Sequence, residues 1–115
     1  MKIEIKEIVL GTHYWEDCPF DEVVFLRNEH HHDFTIFVSC DVEHNDRDIE
    51  FIMLRIWLKK FIKNTYMVDN EIVRFCGRSC EMISSEIKEA LIKQYSDKNW
   101  KVSVSEDGIY KGGDW

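Results

Sequence analysis

Three consecutive histidines, His30, His31 and His32, stand at the start of an alternating apolar segment. Side chains at positions i and i+2 of a β-strand point to the same face, so His30 and His32 share a face and His31 takes the other. Two imidazole rings placed in this way can both reach one metal ion at about 2.0–2.1 Å. The alternative is that the two rings line a polar pocket through hydrogen bonds and hold no metal.

A further histidine, His13, ends the first alternating segment of the chain. If that segment pairs antiparallel with the strand that begins at His30, His13 lies beside His30 and His32. Three histidines with an open fourth position are typical of catalytic zinc, which polarises a bound water or substrate oxygen. A solvated loop histidine is the alternative for His13. His44 falls in a polar turn, and we expect it to be solvated.

Glu106 is the second candidate for chemistry. Trp100, Val102 and Val104 precede it at alternate positions, which predicts that Glu106 lies on the inward face of a strand. An unpaired buried carboxylate is costly, so it needs a partner. A ligand with two adjacent N–H donors would supply one, because a carboxylate accepts two parallel hydrogen bonds. The alternative is a frayed, solvated strand end.

Alternation of apolar and polar residues predicts the strands, and an apolar repeat of helical period predicts the helices, that must position these side chains. Strands are predicted over 2–13, 22–26, 30–42, 100–106 and 109–111, and helices over 49–63 and from position 79 onward. A blurred phase at 8–10 predicts a bulge in the first strand. Asn45, Asp46 or Asp48 is the predicted N-cap of the first helix, and Ser79 is the predicted N-cap of the second.

The length and the element order bound the fold class. The 115 residues, of which 44% are hydrophobic, fit one α+β domain over 1–115 with a real core. The helix over 49–63 is apolar on more than one side, so we expect the sheet and a neighbouring element or subunit to cover it. Association into a homo-oligomer would therefore help a chain of this size.

The charge balance narrows the classes of partner. The formal net charge is −7 and no basic stripe is present, which disfavours nucleic acid and anionic lipid and favours a small-molecule ligand or a protein. No run approaches the roughly 20 apolar residues of a membrane span. The first residues alternate in charge and lack the hydrophobic region of a signal peptide. We therefore expect a cytoplasmic protein without a membrane partner.

The four cysteines are Cys18, Cys40, Cys76 and Cys80. In a cytoplasmic protein they are expected to be reduced thiols rather than a disulfide framework. Cys76 and Cys80 are spaced as one helical turn, but no third and fourth sulfur ligand stands nearby. A cysteine metal site is therefore disfavoured.

Six segments of the chain resemble the motifs of one enzyme family, and they occur in the family's order. They are Gly11-Thr12-His13, like a strand that ends in a zinc histidine; His30-His31-His32-Asp33-Phe34, like His-Gly-His-Asn-Tyr with the glycine replaced; Ile49-Glu50-Phe51, like Val-x-Asp-Phe; Arg78-Ser79-Cys80-Glu81-Met82-Ile83, like Pro-Thr-x-Glu-Asn-Leu; Val102-Ser103-Val104-Ser105-Glu106-Asp107, like Val-x-Val-x-Glu-Thr; and Gly108-Ile109-Tyr110-Lys111-Gly112, like a closing strand. Through them nearly the whole chain resembles the 6-pyruvoyltetrahydropterin synthase and 6-carboxytetrahydropterin synthase family.

The resemblance implies a tunnelling fold, in which a four-stranded antiparallel sheet carries two helices packed on one face. Subunits of the family assemble into homo-oligomers, commonly hexamers of two stacked trimers, with active sites at subunit interfaces. The resemblance also implies a zinc ion on His13, His30 and His32. It implies a pterin ring anchored by Glu106, with Ser79 close to that ring.

The chain departs from the family at two catalytic positions. The family's catalytic cysteine lies four residues before the first histidine of the pair, where this chain has Leu26. Cys18 lies in the same loop region and is the candidate substitute. The family's Leu-Asp-His motif, whose last two residues relay protons, looks like Val68-Asp69-Asn70. Asp69 is thus retained as a catalytic candidate, whereas asparagine cannot titrate near neutral pH.

Three functions are compatible with these residues. The first is a zinc-dependent lyase that converts dihydroneopterin triphosphate, with Cys18, His31 or a zinc-bound hydroxide as the base, and whose product feeds deazaguanine (queuosine-type) or biopterin synthesis. The second is a non-catalytic tunnelling-fold protein that keeps zinc and binds a pterin-like or purine-like ligand. The third is a small acidic interaction domain in which the histidines are merely polar.

Overall fold

Two long strands form the centre of the molecule. The computed structural model describes residues 1–115, and it contains β1 (Lys2–His13) and β2 (His30–Asp41). They pair antiparallel along their whole length, so that His13 lies opposite His30. The alternation of both segments therefore predicts their strands to within one residue, and the pairing needed for the histidine cluster is present.

The bulge predicted at 8–10 is wrong. The register of β1 against β2 runs without a break through these positions. Ile8 and Leu10 keep the alternation and point to the open face of the sheet, where they are 60% and 46% exposed. The alternation looks irregular at 8–10 because apolar residues occupy the outer face there, and the strand contains no extra residue.

Four shorter strands complete the sheet. They are β3 (Met67–Asp69), β4 (Ile72–Arg74), β5 (Lys101–Glu106) and β6 (Tyr110–Gly113). The strand order is β3-β4-β1-β2-β5-β6, with β1 and β4 parallel and all other neighbours antiparallel. The α+β class is confirmed, but the sheet has six strands where four were expected. The two extra strands are the β3–β4 hairpin, because strands of three residues are too short to show a period.

The strand predicted over 22–26 is also wrong. This segment lies within a 3-10 helix, Asp21–Arg27, that buries no residue. A short apolar run cannot be assigned to strand or helix from periodicity alone. Val24 and Phe25 are 44% and 61% exposed, so this segment is not part of the core.

The first helix, α1, spans Phe51–Thr65. Its N-cap is Glu50, whose side chain accepts the main-chain N–H of Met53 at 2.8 Å. The predicted N-cap at 45, 46 or 48 is wrong because the helix begins two residues later than its apolar pattern indicates. No helix of the structure has the length and apolar content needed to cross a membrane.

The second helix, α2, spans Cys80–Tyr95. Ser79 is its N-cap, as predicted, and the Ser79 hydroxyl accepts the main-chain N–H of Met82 at 3.2 Å. The two helices and the sheet enclose one core, which includes Leu54, Leu58 and Ile62 of α1, Ile83, Ile87 and Leu91 of α2, and Phe34, Ile36, Val38, Val102 and Val104 of the sheet. Both helices therefore pack on the same face of the sheet, the face that also carries the candidate site.

Candidate metal centre and ligand pocket

The β1–β2 ladder brings three histidine rings together. His13 lies opposite His30, and Gly11 lies opposite His32. The ring centroids are 4.7 Å apart for His13 and His30, 5.1 Å for His13 and His32, and 5.0 Å for His30 and His32. One ring nitrogen of each lies within 4.8 Å of the other two. This cluster of three rings can bind a metal ion.

The Nδ1 atom of each ring faces an oxygen that can only accept a hydrogen bond. The three contacts are His13 Nδ1 to the Arg78 carbonyl at 2.9 Å, His30 Nδ1 to the Asn28 carbonyl at 2.8 Å, and His32 Nδ1 to Asp107 Oδ2 at 2.7 Å. A carbonyl and an ionised carboxylate have no proton to donate, so each Nδ1 carries the hydrogen. The neutral ring then presents the lone pair of Nε2.

The Nε2 atoms of the three rings are the candidate metal ligands. The Nε2 atoms of His30 and His32 are buried and have no hydrogen-bond partner within the protein. An unsatisfied buried polar atom costs free energy, and a metal ion that accepts its lone pair removes that cost. Neutral imidazole held by an acceptor at its other nitrogen is the usual state of a histidine ligand. The donor set therefore fits a metal.

Phe34 and Gly11 form the floor under the cluster. The Phe34 ring packs edge-on against His13 and His32, with centroid distances of 5.2 Å and 5.6 Å. A Cβ atom built on Gly11 would lie 2.9 Å from the Phe34 ring and 2.9 Å from the Phe75 ring. The absence of a side chain at position 11 leaves room for both rings, of which Phe34 packs against the histidines.

Glu106 lies at the end of β5 on the inward face, as its parity predicts. Its Oε1 is 3.1 Å from Nε2 of His13, and its Oε2 is 3.6 Å from Nε2 of His32. The hydrogen bond from His13 holds the pKa of Glu106 below its usual range. Burial opposes charge on His13, but the hydrogen bonds to Glu106 and to the Arg78 carbonyl outweigh it and raise the pKa of His13. When His13 is protonated and no metal is bound, it pairs with Glu106 across this 3.1 Å contact.

A cavity of about 490 Å³ opens beside this pair. It is lined by His13, Tyr14, Trp15, Leu26, His30, Gly77, Arg78, Ser79, Cys80, Glu81, Met82, Glu106, Tyr110, Lys111 and Gly112. Most cofactor and substrate sites are cavities of about 300–1,000 Å³ with a few convergent polar groups. Ser79 lines the cavity, so both predicted ligand-binding residues, Glu106 and Ser79, face the same space.

The predicted catalytic residues are not part of this cavity. Cys18 is fully buried, and its thiol points to the carbonyls of Phe20 and Val23 at 3.8 Å and 3.7 Å. Asp69 is exposed on β3, at the far edge of the sheet. His31 is exposed on the opposite face of β2. The chain thus brings together the metal and ligand residues but neither Cys18, Asp69 nor His31.

Two residues near the site escaped prediction. The Cys80 thiol lies in the cavity and contacts Glu106 Oε1 at 3.5 Å, and burial together with Glu106 raises its pKa to about 12. Asp107 holds Nδ1 of His32. Cys80 directly follows the predicted N-cap Ser79. This position, at a helix start near the predicted carboxylate, was the feature of the sequence that could have indicated Cys80. The sequence around Asp107 does not indicate which histidine its carboxylate reaches.

No protein-family model and no curated protein matches the sequence. Two solved structures of Plasmodium vivax 6-pyruvoyltetrahydropterin synthase, variants in which a catalytic glutamate is replaced by cysteine or alanine, are each 14% identical over 98% of this chain and 95% of theirs, with a TM-score of 0.63. Plasmodium falciparum 6-pyruvoyltetrahydropterin synthase is 15% identical over 97% of this chain and 94% of its own, with a TM-score of 0.63.

These likenesses define the class of fold. The chain has the α+β tunnelling fold, as the motif resemblance implies. More narrowly, its fold is that of 6-pyruvoyltetrahydropterin synthase over nearly the whole chain. At 14–15% identity the likeness concerns the fold, so the chemistry must be argued from the site.

Proposed function

We propose that the protein is a zinc-dependent lyase of the 6-carboxytetrahydropterin or 6-pyruvoyltetrahydropterin synthase type, which acts on dihydroneopterin triphosphate. One observation carries the proposal: the Nδ1 atoms of three histidines face hydrogen-bond acceptors, and one ring nitrogen of each lies within 4.8 Å of the other two, beside a cavity that holds a carboxylate. The fold of 6-pyruvoyltetrahydropterin synthase supports the same assignment.

His13, His30 and His32 would hold the zinc ion, since three imidazole nitrogens are a common zinc donor set. When bound, zinc would polarise side-chain oxygens of the substrate and so acidify the adjacent C–H bond. The acceptors at Nδ1 keep the rings oriented. Because Nε2 of His13 cannot donate to Glu106 and bind a metal at the same time, loading the site frees Glu106 for the ligand.

Glu106 would anchor the pterin ring. The two oxygens of a carboxylate can accept parallel hydrogen bonds from adjacent N–H donors, such as the ring N–H and amino group of a pterin. Tyr14, Trp15 and Tyr110 supply aromatic surface around the cavity, which suits a flat heterocycle. Ser79 at the start of α2 lies on the same wall and would contact the ring.

Proton transfer is assigned to groups outside this chain's own cavity. Asp69 lies on the exposed edge strand β3 and does not line this chain's cavity, so we assign it to the pocket of a neighbouring copy. A homo-oligomer, a trimer or a hexamer, is therefore part of the proposal. Exposed apolar side chains on α1 support association, with Phe51, Ile52 and Met53 at 54%, 67% and 61% exposure. Sedimentation analysis of the purified protein tests this step, and a monomer at all concentrations contradicts it.

The lyase proposal is tested by incubating the zinc-loaded protein with dihydroneopterin triphosphate and following triphosphate release. Turnover above a zinc-only blank is expected, and it should require His30. Metal analysis of the purified protein comes first. A zinc content far below one ion per chain, with no uptake of added zinc, would instead leave a small acidic interaction domain whose histidines are merely polar.

A second function is favoured by one specific observation. Leu26, which stands where the family has its catalytic cysteine, lines the cavity, while the nearby thiol of Cys18 is sealed inside the loop. A protein that binds zinc and a pterin-like or purine-like ligand without converting it fits this arrangement. Calorimetry with pterins and guanine distinguishes the two: binding that E106A abolishes, with no triphosphate release by the wild type, identifies a binding protein.

A further inference from the structure

We propose that Asp107 is a positioning residue of the metal centre, whose carboxylate holds His32 in the tautomer that leaves Nε2 free for a metal. The inference rests on the proposed function only in that the site binds zinc. It assigns a role to a position where the motif resemblance has threonine.

Asp107 is tied to β2 by three hydrogen bonds. Its main-chain N–H donates to the Asp33 carbonyl at 2.9 Å, and its Oδ1 accepts the Asp33 N–H at 2.8 Å. Its Oδ2 accepts Nδ1–H of His32 at 2.7 Å. One oxygen thus completes the β2–β5 ladder in place of a main-chain carbonyl, and the other is left for His32.

The backbone at Asp107 requires a residue of this kind. Its φ is +54°, in the left-handed region that aspartate and asparagine tolerate far better than β-branched residues. This conformation turns the chain at the end of β5 and brings the carboxylate round to the His32 ring. A threonine at this place would be strained and would offer no charge.

His32 differs from the other two rings in the acceptor at its Nδ1. His13 and His30 donate to main-chain carbonyls, which are neutral and fixed by the backbone. His32 donates to a carboxylate. A carboxylate behind a metal-bound histidine fixes its tautomer and orientation and makes the ring a stronger ligand.

The tautomer of His32 needs this support because a second carboxylate competes for its hydrogen. Glu106 Oε2 lies 3.6 Å from Nε2 of His32, on the side where the metal would bind. A hydrogen on Nε2 directed at Glu106 would block the site. Asp107 Oδ2 is nearer, at 2.7 Å from Nδ1, so a neutral ring keeps its hydrogen on Nδ1. Glu106 and Asp107, which are adjacent in the chain, therefore face the two different nitrogens of the His32 ring. Asp107 is the closer of the two, so it determines the tautomer of His32.

The test compares D107N and D107A in the full chain. The asparagine oxygen can accept from Asp33 or from His32 but not from both, and if it keeps Asp33 its NH₂ group faces Nδ1 of His32. That arrangement favours the Nε2–H tautomer. Titration of metal-free protein with zinc against a chromophoric chelator should show about 10–100-fold weaker binding for both variants. D97N is the matched control, because Asp97 Oδ1 accepts the Asn99 N–H at 3.0 Å in a turn remote from the histidines, and its zinc affinity should not change.

A purely structural role gives a different result. If Asp107 only ties β5 to β2, D107N keeps the Asp33 bond and binds zinc as tightly as the wild type, which overturns the inference. ¹⁵N NMR of metal-free protein gives a second readout: hydrogen on Nδ1 of His32 in the wild type and on Nε2 in D107N. A wild-type ring with hydrogen on Nε2 also overturns it, even if both variants misfold. Failure of the wild type to bind zinc would refute the proposed function, while the tautomer measurement still decides the role of Asp107.

Discussion

The cavity has two unlike walls. The histidine wall consists of His13, His30 and Glu106, and the loop wall consists of Tyr14, Trp15 and Leu26. The histidine wall is built on paired strands, and its polar atoms are oriented by hydrogen bonds. The loop wall is held by main-chain contacts, such as the Trp15 N–H to the Leu26 carbonyl at 2.7 Å, and presents aromatic and aliphatic surface. The difference separates two tasks: the histidine wall carries groups that could bind a metal and a ligand, whereas the loop wall presents neither a thiol nor an imidazole.

The largest expected effect is on metal binding at the histidine wall. His30→Ala removes one of the three candidate ligands. The loss of a hydrogen-bond partner behind a ligand typically weakens metal binding by about 10–100-fold, and we expect the loss of zinc affinity here to be larger. The measurement is chelator competition on metal-free protein. His44→Ala is the control, because that ring lies in an exposed turn. Equal zinc binding by His30→Ala and the wild type would remove the basis of the comparison.

Leu26→Cys supplies the loop wall with a thiol. If turnover is limited by the lack of a thiol at this position, the substitution should raise kcat with dihydroneopterin triphosphate by about 10²-fold or more. Leu26→Ala is the matched control, since it opens the same space without adding a titratable group. No increase in Leu26→Cys, with zinc and ligand still bound, would show that the loop wall does not limit the reaction.

Cys18→Ala should leave turnover unchanged, because the thiol is buried and faces two carbonyls inside the loop. Loss of its packing should lower the free energy of unfolding by about 1 kcal/mol. Steady-state kinetics and thermal melts measure the two effects. A variant that keeps its melting temperature but loses activity would make Cys18 the base and would reverse the assignment of the loop wall.

The smallest expected effect is a pH dependence of stability in the metal-free protein. The pKa of His13 is raised, so its contribution is complete below its ordinary value of 6.5 and is lost as pH rises through its folded value. The pKa of Glu106 is lowered, so its contribution is complete above its ordinary value of 4.5 and is lost as pH falls through its folded value. Both contributions are present between these two ordinary values.

The difference in melting temperature between wild type and Glu106→Gln should therefore be greatest near pH 5.5 and should shrink toward pH 8. Thermal melts of metal-free protein across this range measure it. Glu4→Gln, on the exposed face of β1, serves as control and should show no such profile. A difference that grows toward pH 8 would contradict the ion pair.

The histidine cluster could be predicted because it depends only on the alternation of side chains along a strand and on the antiparallel pairing of β1 with β2. The alternation of β1 and β2 fixes which side chains share a face, and antiparallel pairing of these strands brings His13 to His30. Glu106 followed from the parity of β5. Each of these inferences needs only the period of a strand and the identity of its neighbour.

The features that escaped prediction depend on contacts between distant parts of the chain or on very short elements. The β3–β4 hairpin turns through Asn70 and Glu71, which have φ values of 50° and 66°. No local sequence pattern predicts these conformations. Asp107 reaches His32 across the β2–β5 ladder, and Cys80 meets Glu106 only once α2 has packed on the sheet. The sealed position of Cys18 likewise depends on how the loop closes on itself. Loop closure and side-chain reach across elements are tertiary properties, and strand periodicity carries no information about them.

The lack of a side chain on Gly11 keeps the histidine rings from being displaced. Any substituent there would press on Phe34, and Phe34 transmits that pressure to the two rings it touches, His13 and His32. Ligand nitrogens must keep their distances to a metal within a few tenths of an ångström. The geometry of the histidine cluster thus depends on the lack of a Cβ atom at position 11. One added carbon there would displace the rings and weaken metal binding while all three donor residues remained present.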